Sequence, residues 1–115
     1  MKLLENTETA LKEQLEGKEV DKLNKAEAIA ILNAVLNAVK EDAKKHKDKI
    51  NESSTLKTVV GELANCKDGQ AISALWKKKG TITRLGVRNF GPAYFSDATD
   101  SETVGTLIAI MDKSL

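Results

Sequence analysis

LKTVVGELANCKDGQAISALWKKKGTITRLGVRNFGPAYFS, at residues 56–96, is the stretch that decides the fold prediction. Its first part repeats apolar residues three and four apart, a spacing that predicts two short amphipathic helices at residues 56–65 and 70–79, with Asp68 as a candidate cap of the second. After Gly80 the pattern changes to the alternation of a strand over residues 81–85. The Gly91-Pro92 pair predicts a loop, and residues 93–95 are predicted to form the returning strand. The stretch therefore predicts a helix, a turn, a second helix and a small β-hairpin.

Helices are also predicted on both sides of this stretch. A first helix is expected at residues 2–16, and Asp21 is a candidate N-cap for a long helix that reaches about residue 49. Leu, Ile, Val and Ala form a broad apolar face on the long helix, so we expect it to be central. Thr99 and Glu102 match a capping box at the start of a final helix. We expect one mainly α domain, with a helical part at 1–50, a core at 54–96 and a C-terminal helix at 99–115.

The charge of the chain is unevenly distributed, although its net value is only +1. Residues 1–39 carry five Lys against seven acids, and residues 91–115 carry one Lys against four acids. Residues 40–90 carry twelve Lys or Arg against six acids. The basic middle coincides with the stretch quoted above, and a basic surface within a neutral protein is typical of nucleic-acid binding.

Catalytic and cofactor-binding patterns are missing from the sequence. The chain has one His and one Cys, which gives neither the ligand spacing of a metal site nor an obvious nucleophile with its base. It has no glycine-rich phosphate-binding loop of either common type. We therefore expect no enzyme activity, no catalytic residue, no metal and no cofactor.

The sequence also predicts a cytoplasmic protein without a membrane partner. The single Cys66 cannot form an internal disulfide, and disulfides are rare in reducing compartments. The first residues lack the apolar core of a signal peptide, and no apolar run approaches the roughly 20 residues that a membrane span needs.

The order of elements resembles the winged helix-turn-helix family. The resemblance is carried by GELA at residues 61–64, AISAL at residues 71–75, KGTITR at residues 79–84 and PAYF at residues 92–95. It implies a winged helix-turn-helix core whose second helix enters the major groove of duplex DNA while the wing contacts the backbone. The protein would then be a small transcriptional regulator.

The resemblance also assigns candidate DNA-binding residues by position. Gln70 would contact a base edge or a phosphate, and Lys or Arg side chains would contact phosphates. The full set of candidates is Gln70, Ser73, Lys77, Lys78, Arg84, Arg88 and Asn89, extended by Lys44 and Lys45 at the end of the long helix. The exposed face of the second short helix has no Arg or Asn, which is unusual for strong base readout. Trp76 falls on the apolar face and is expected in the core.

The sequence is also compatible with two kinds of protein partner, a second copy of the chain and a host protein. The final helix carries Val104, Ile108 and Met111 on one face, and the resemblance implies a homodimer formed through such terminal helices. The alternative function is a small non-enzymatic protein-interaction module, such as an inhibitor of the phage or mobile-element type that binds a host protein. Weak base-reading side chains and acidic terminal segments favour that alternative.

Overall fold

The second helix is the centre of the fold in the computed structural model, which describes residues 3–79, 95 and 99–115. In chain order the described elements are α1 (Glu5–Leu15), a short 3-10 turn (Val20–Lys22), α2 (Lys25–Lys45), α3 (Lys47–Asn51), α4 (Ser54–Ala64), α5 (Gly69–Lys79) and α6 (Ser101–Lys113). α2 packs against α1, α4, α5 and α6. Its buried side chains Leu32, Val35 and Val39 lie on the apolar face that the sequence predicts. The predicted central helix is therefore confirmed.

Three predicted helix boundaries need correction. Asn24, not Asp21, caps α2: its side chain accepts a hydrogen bond from the Glu27 N–H, while Glu27 accepts one from the Asn24 N–H. The long helix stops at Lys45 and resumes as the short α3, because His46 leaves helical geometry. Asp100, rather than Thr99, caps α6 by accepting from the Thr103 N–H at 2.7 Å.

The predicted fold class, a mainly α protein with a β-hairpin in a winged helix-turn-helix core, is wrong. No described residue lies in a strand, and Phe95, which was assigned to the returning strand, is helical and fully buried. The other residues of the predicted hairpin, 80–94, lie outside the described part of the chain. A three-residue apolar run cannot by itself distinguish a strand from a buried helical segment, which accounts for the error. In addition, among the described helices α4 packs mainly on α2 and α3, and α5 packs mainly on α2 and α6.

A buried carboxylate joins α1 to the end of α2. Asp42 is fully buried, and its Oδ2 accepts hydrogen bonds from the Thr7 N–H at 2.8 Å and the Thr7 hydroxyl at 2.7 Å. Its Oδ1 accepts from the Asn6 N–H at 3.2 Å. Leu4, at the N-cap position of α1, supplies no side-chain cap. Asp42 therefore satisfies backbone donors at the start of α1 that would otherwise lack a partner.

Two helical glycines have opposite surroundings, which gives a matched prediction. A Cβ on Gly69 would lie 2.3 Å from the Ile29 carbonyl oxygen and 2.6 Å from the Asn33 nitrogen, so α5 would be pushed away from α2. A Cβ on Gly61, in the interior of α4, would meet nothing within 4 Å. We expect Gly69→Ala to lower the free energy of unfolding by about 1–3 kcal/mol or more. Gly61→Ala should raise it by about 0.5–1 kcal/mol, because alanine favours helix.

Urea unfolding of the two variants beside the wild type measures both changes. Equal effects of the two substitutions would contradict the close contact of α5 with α2.

A separate property concerns membranes: no helix in the described ranges is both long and apolar enough to cross one.

Candidate nucleic-acid interface

The start of α5 is fixed by two hydrogen bonds and by a close approach to α2. Asp68 Oδ1 accepts a hydrogen bond from the Ala71 N–H at 2.8 Å, which confirms the predicted cap of this helix. The Gly69 N–H donates to Asn33 Oδ1 at 3.0 Å, and the missing Cβ of Gly69 lets α5 approach the α2 backbone. These contacts orient α5 so that one face points inward and the opposite face lies at the surface.

The inward face of α5 contains Ile72, Ser73 and Trp76, all of them buried. The Ser73 hydroxyl donates to the Ser114 carbonyl oxygen at 2.9 Å, and Trp76 Nε1–H donates to Asp112 Oδ1 at 2.7 Å. The core position predicted for Trp76 is therefore confirmed. Ser73 does not lie on the surface where the resemblance would place it, because its position in the helical turn is beside Ile72 and Trp76. It joins α5 to the end of α6 instead.

The outward face of α5 is a polar stripe with a positive end. Gln70, Ala74, Lys77 and Lys78 are exposed, and their spacing places them along one side of the helix. The sequence of α5 contains no acid. Lys77 and Lys78 form no ion pair with any described residue, whereas Lys79 Nζ contacts Glu62 Oε1 at 2.7 Å. We call the exposed residues Gln70, Ala74, Lys77 and Lys78 the α5 face.

The lysines at the end of α2 differ in their surroundings. Lys44 is exposed, whereas Lys45 Nζ lies 3.3 Å from Glu5 Oε1, which also lies 3.4 Å from His46 Nε2. The hydrogen bond and charge of Lys45, with a further contribution from His46, lower the pKa of the Glu5 carboxyl. Part of the positive charge predicted here is thus balanced by α1. The remaining candidates Arg84, Arg88 and Asn89 lie outside the described residues.

A groove between the end of α2, α3 and α4 was not predicted from the sequence. Its volume is about 640 Å³, and its lining includes Lys47, Asn51, Lys57, Thr58 and Gly61. The sequence does not predict the groove, because its two walls come together only in the folded chain. A signal was present in Gly61, since glycine inside an amphipathic helix costs stability and calls for a packing or functional reason.

The residues predicted to form a dimer are used inside the chain. Val104 and Met111 are 4% and 0% exposed, and Ile108 is half-buried against the same core. α6 has a single apolar stripe, and that stripe packs within the protein. Among the described residues Leu115 is the one large hydrophobic side chain that is exposed. A dimer through Val104 and Met111 would therefore require α6 to leave its own core.

The chemistry of the single cysteine is that of a structural residue. Cys66 is half-buried, and its Sγ donates to the Glu62 carbonyl oxygen at 3.4 Å. Burial raises the pKa of the thiol, and the nearby Asp68 and Glu62 carboxylates raise it further. The reactive thiolate is thus disfavoured. Within residues 3–79, 95 and 99–115, no three His, Cys, Asp or Glu side chains come together as a metal site.

No family model matches this chain, and neither a curated protein nor a solved structure is found to be similar to it. The resemblance to winged helix-turn-helix proteins thus has no relative to support it. The geometry and charge of the α5 face and of the groove are what bear on function.

Proposed function

We propose that this protein is a small, non-enzymatic DNA-binding protein that holds the phosphates of a duplex through the α5 face. The observation that carries the proposal is the pair of exposed lysines Lys77 and Lys78, which no described acid neutralises, on a helix without acids. Lysine contacts to phosphates position a protein on DNA without reading its sequence. Gln70, on the same face, is the side chain available for contact with a base edge.

The surface favours a polar partner over an apolar one. Interfaces between proteins bury a central patch rich in apolar and aromatic side chains. The described residues offer Leu115 as their one large exposed hydrophobic side chain, so they form no such patch. This favours DNA over the protein-interaction module. We also propose a cytoplasmic location, because the single Cys66 needs no oxidising compartment.

Reversing the charge of the α5 face is expected to abolish binding. In Lys77→Glu/Lys78→Glu, repulsion replaces two phosphate contacts, and affinity for a short fluorescent duplex should fall by roughly 100-fold or more at low salt. Both residues are exposed, so the thermal unfolding transition should stay nearly unchanged. Fluorescence anisotropy at low ionic strength measures the affinity.

Lys18→Glu/Lys22→Glu is the matched control, because it makes the same change in net charge at exposed positions near the 3-10 turn. Measured beside the α5 variant at about 0.1 M salt, its affinity should stay within about threefold of the wild type, because neither residue lies on the α5 face and a Debye length of roughly 10 Å screens more distant charges. Equal losses in both double variants would show that overall charge, not the α5 face, governs binding. An α5 variant that binds like the wild type would exclude the proposed interface.

A further inference from the structure

We infer that the groove between α2, α3 and α4 is a second phosphate-contacting surface, which receives one strand of the duplex held by the α5 face. The inference rests on the proposed function and extends it from one helix face to two surfaces. The groove is open and has a volume of about 640 Å³. Its occupant is identified by the charge and hydrogen-bonding capacity of the walls.

The walls of the groove supply positive charge from two separate elements. Lys47 belongs to α3 and Lys57 to α4, and both are exposed. Neither forms an ion pair with a residue in the described ranges. The one acid in the lining is Glu62, whose carboxylate contacts Lys79 at 2.7 Å. The groove therefore presents two uncompensated lysines to whatever lies in it, which matches a phosphodiester strand.

Neutral hydrogen-bonding groups fill the space between these lysines. The lining includes the amides of Asn51 and Asn65 and the hydroxyls of Ser54 and Thr58. Such side chains are, with Lys and Arg, the usual partners of DNA phosphate oxygens and sugars. Thr58 already donates its hydroxyl proton to the Ser54 carbonyl oxygen at 2.8 Å, so the neutral donors left for a phosphate are the Ser54 hydroxyl and the two amides. Asn51 and Asn65 are exposed and can donate to a phosphate.

Gly61 lets the backbone of α4 form part of this wall. It lies in the middle of the helix, where glycine is unfavourable relative to alanine. The fold gives no reason for it, because an added Cβ would meet no atom within 4 Å. Glycine is the residue that permits close approach of a backbone to a ligand. A bound strand lying over Gly61 would explain why the helix retains it.

The groove is connected to the α5 face through one ion pair. Glu62 lines the groove, and its partner Lys79 follows Lys77 and Lys78 at the end of α5. The positive end of α5 and the groove are therefore neighbours on the surface. This adjacency is what allows one duplex to contact both.

Three variants test the groove against the same labelled duplex. The plot of log K against log salt has a negative slope, and each phosphate contact contributes about −0.9 to it. Lys47→Gln/Lys57→Gln should therefore make the slope shallower by about 2. Gly61→Leu places a bulky side chain over the wall and should weaken binding by roughly tenfold or more, the size of one or two lost contacts. Gly105→Leu is its control, because Gly105 is an exposed residue of α6 outside the groove lining and an added Cβ there likewise meets no atom within 4 Å. Its affinity should stay within about twofold of the wild type.

The outcomes separate this inference from the proposed function. If Lys77→Glu/Lys78→Glu loses binding while the groove variants bind and respond to salt as the wild type does, the α5 face stands and the groove inference is overturned. If the wild type binds no duplex at low salt, both fail. Weakened binding by Gly61→Leu and a reduced salt slope in the lysine variant, with native unfolding transitions, would support the groove.

Discussion

Replacing Trp76 by alanine is expected to lower the free energy of unfolding by about 3–5 kcal/mol, the range seen when a buried aromatic is truncated. The indole is 3% exposed between α5 and the rest of the core, and its Nε1–H donates to Asp112 Oδ1 at 2.7 Å. The substitution leaves a cavity and removes the hydrogen bond. For a domain of ordinary stability this loss is a large share of the total free energy of unfolding.

Trp76→Phe separates the two contributions, because it keeps an aromatic ring in the core and removes only the donor and part of the volume. We expect it to cost about 1–2 kcal/mol, the size of one hydrogen bond to a charged group with some packing loss. Urea unfolding followed by circular dichroism suits both variants, since the probe does not depend on the tryptophan. A loss below about 1 kcal/mol in Trp76→Ala would place the indole at the surface instead.

Asp42→Ala should produce the second large effect, a loss of about 3–4 kcal/mol, because three donors to a buried carboxylate lose their acceptor. The donors are the Asn6 and Thr7 N–H groups and the Thr7 hydroxyl. The first turn of α1 would be left with buried, unsatisfied groups. Because α1 docks on α2 through this contact, we expect α1 to lose its helical structure before the other helices do.

Thr7→Val is the companion variant, since it removes only the hydroxyl donor and keeps the shape of the side chain. We expect it to cost about 1–2 kcal/mol, clearly less than the loss of the carboxylate. Hydrogen exchange of the α1 amides locates the change within the fold. Unchanged protection of α1 in Asp42→Ala would contradict the proposed capping role.

The short helices were predictable because their signals are local. The apolar spacing of residues 56–65 and 70–79 predicts elements that the structure places at Ser54–Ala64 and Gly69–Lys79. Asp68 was identified as a cap for the same reason. The α2 boundary was missed because Asp21 and Asn24 are both good caps, and the reciprocal bond from Glu27 decides between them. The end of the long helix at His46 was not predicted, because no Gly or Pro beside it indicates a helix end.

Features that depend on tertiary packing were not predictable. The winged helix-turn-helix resemblance places Ser73 at the surface by its position, yet its hydroxyl donates to the Ser114 carbonyl oxygen inside the protein. Val104 and Met111 were assigned to a dimer, although the single apolar stripe of α6 serves its own core. The Asp42 cap joins residues 35 positions apart in the chain. Of the predicted interface, Gln70, Lys77 and Lys78 share one exposed face, because their helical spacing fixes it.

The salt dependence of duplex binding by the wild-type protein tests the central claim most directly. Two lysines on the α5 face and two in the groove give four phosphate contacts, so log K should fall against log salt with a slope of roughly −3.6. The same slope should appear for duplexes of unrelated sequence, since phosphate contacts carry no base information. Absence of binding at low salt, or an affinity that does not change with salt, would contradict the account.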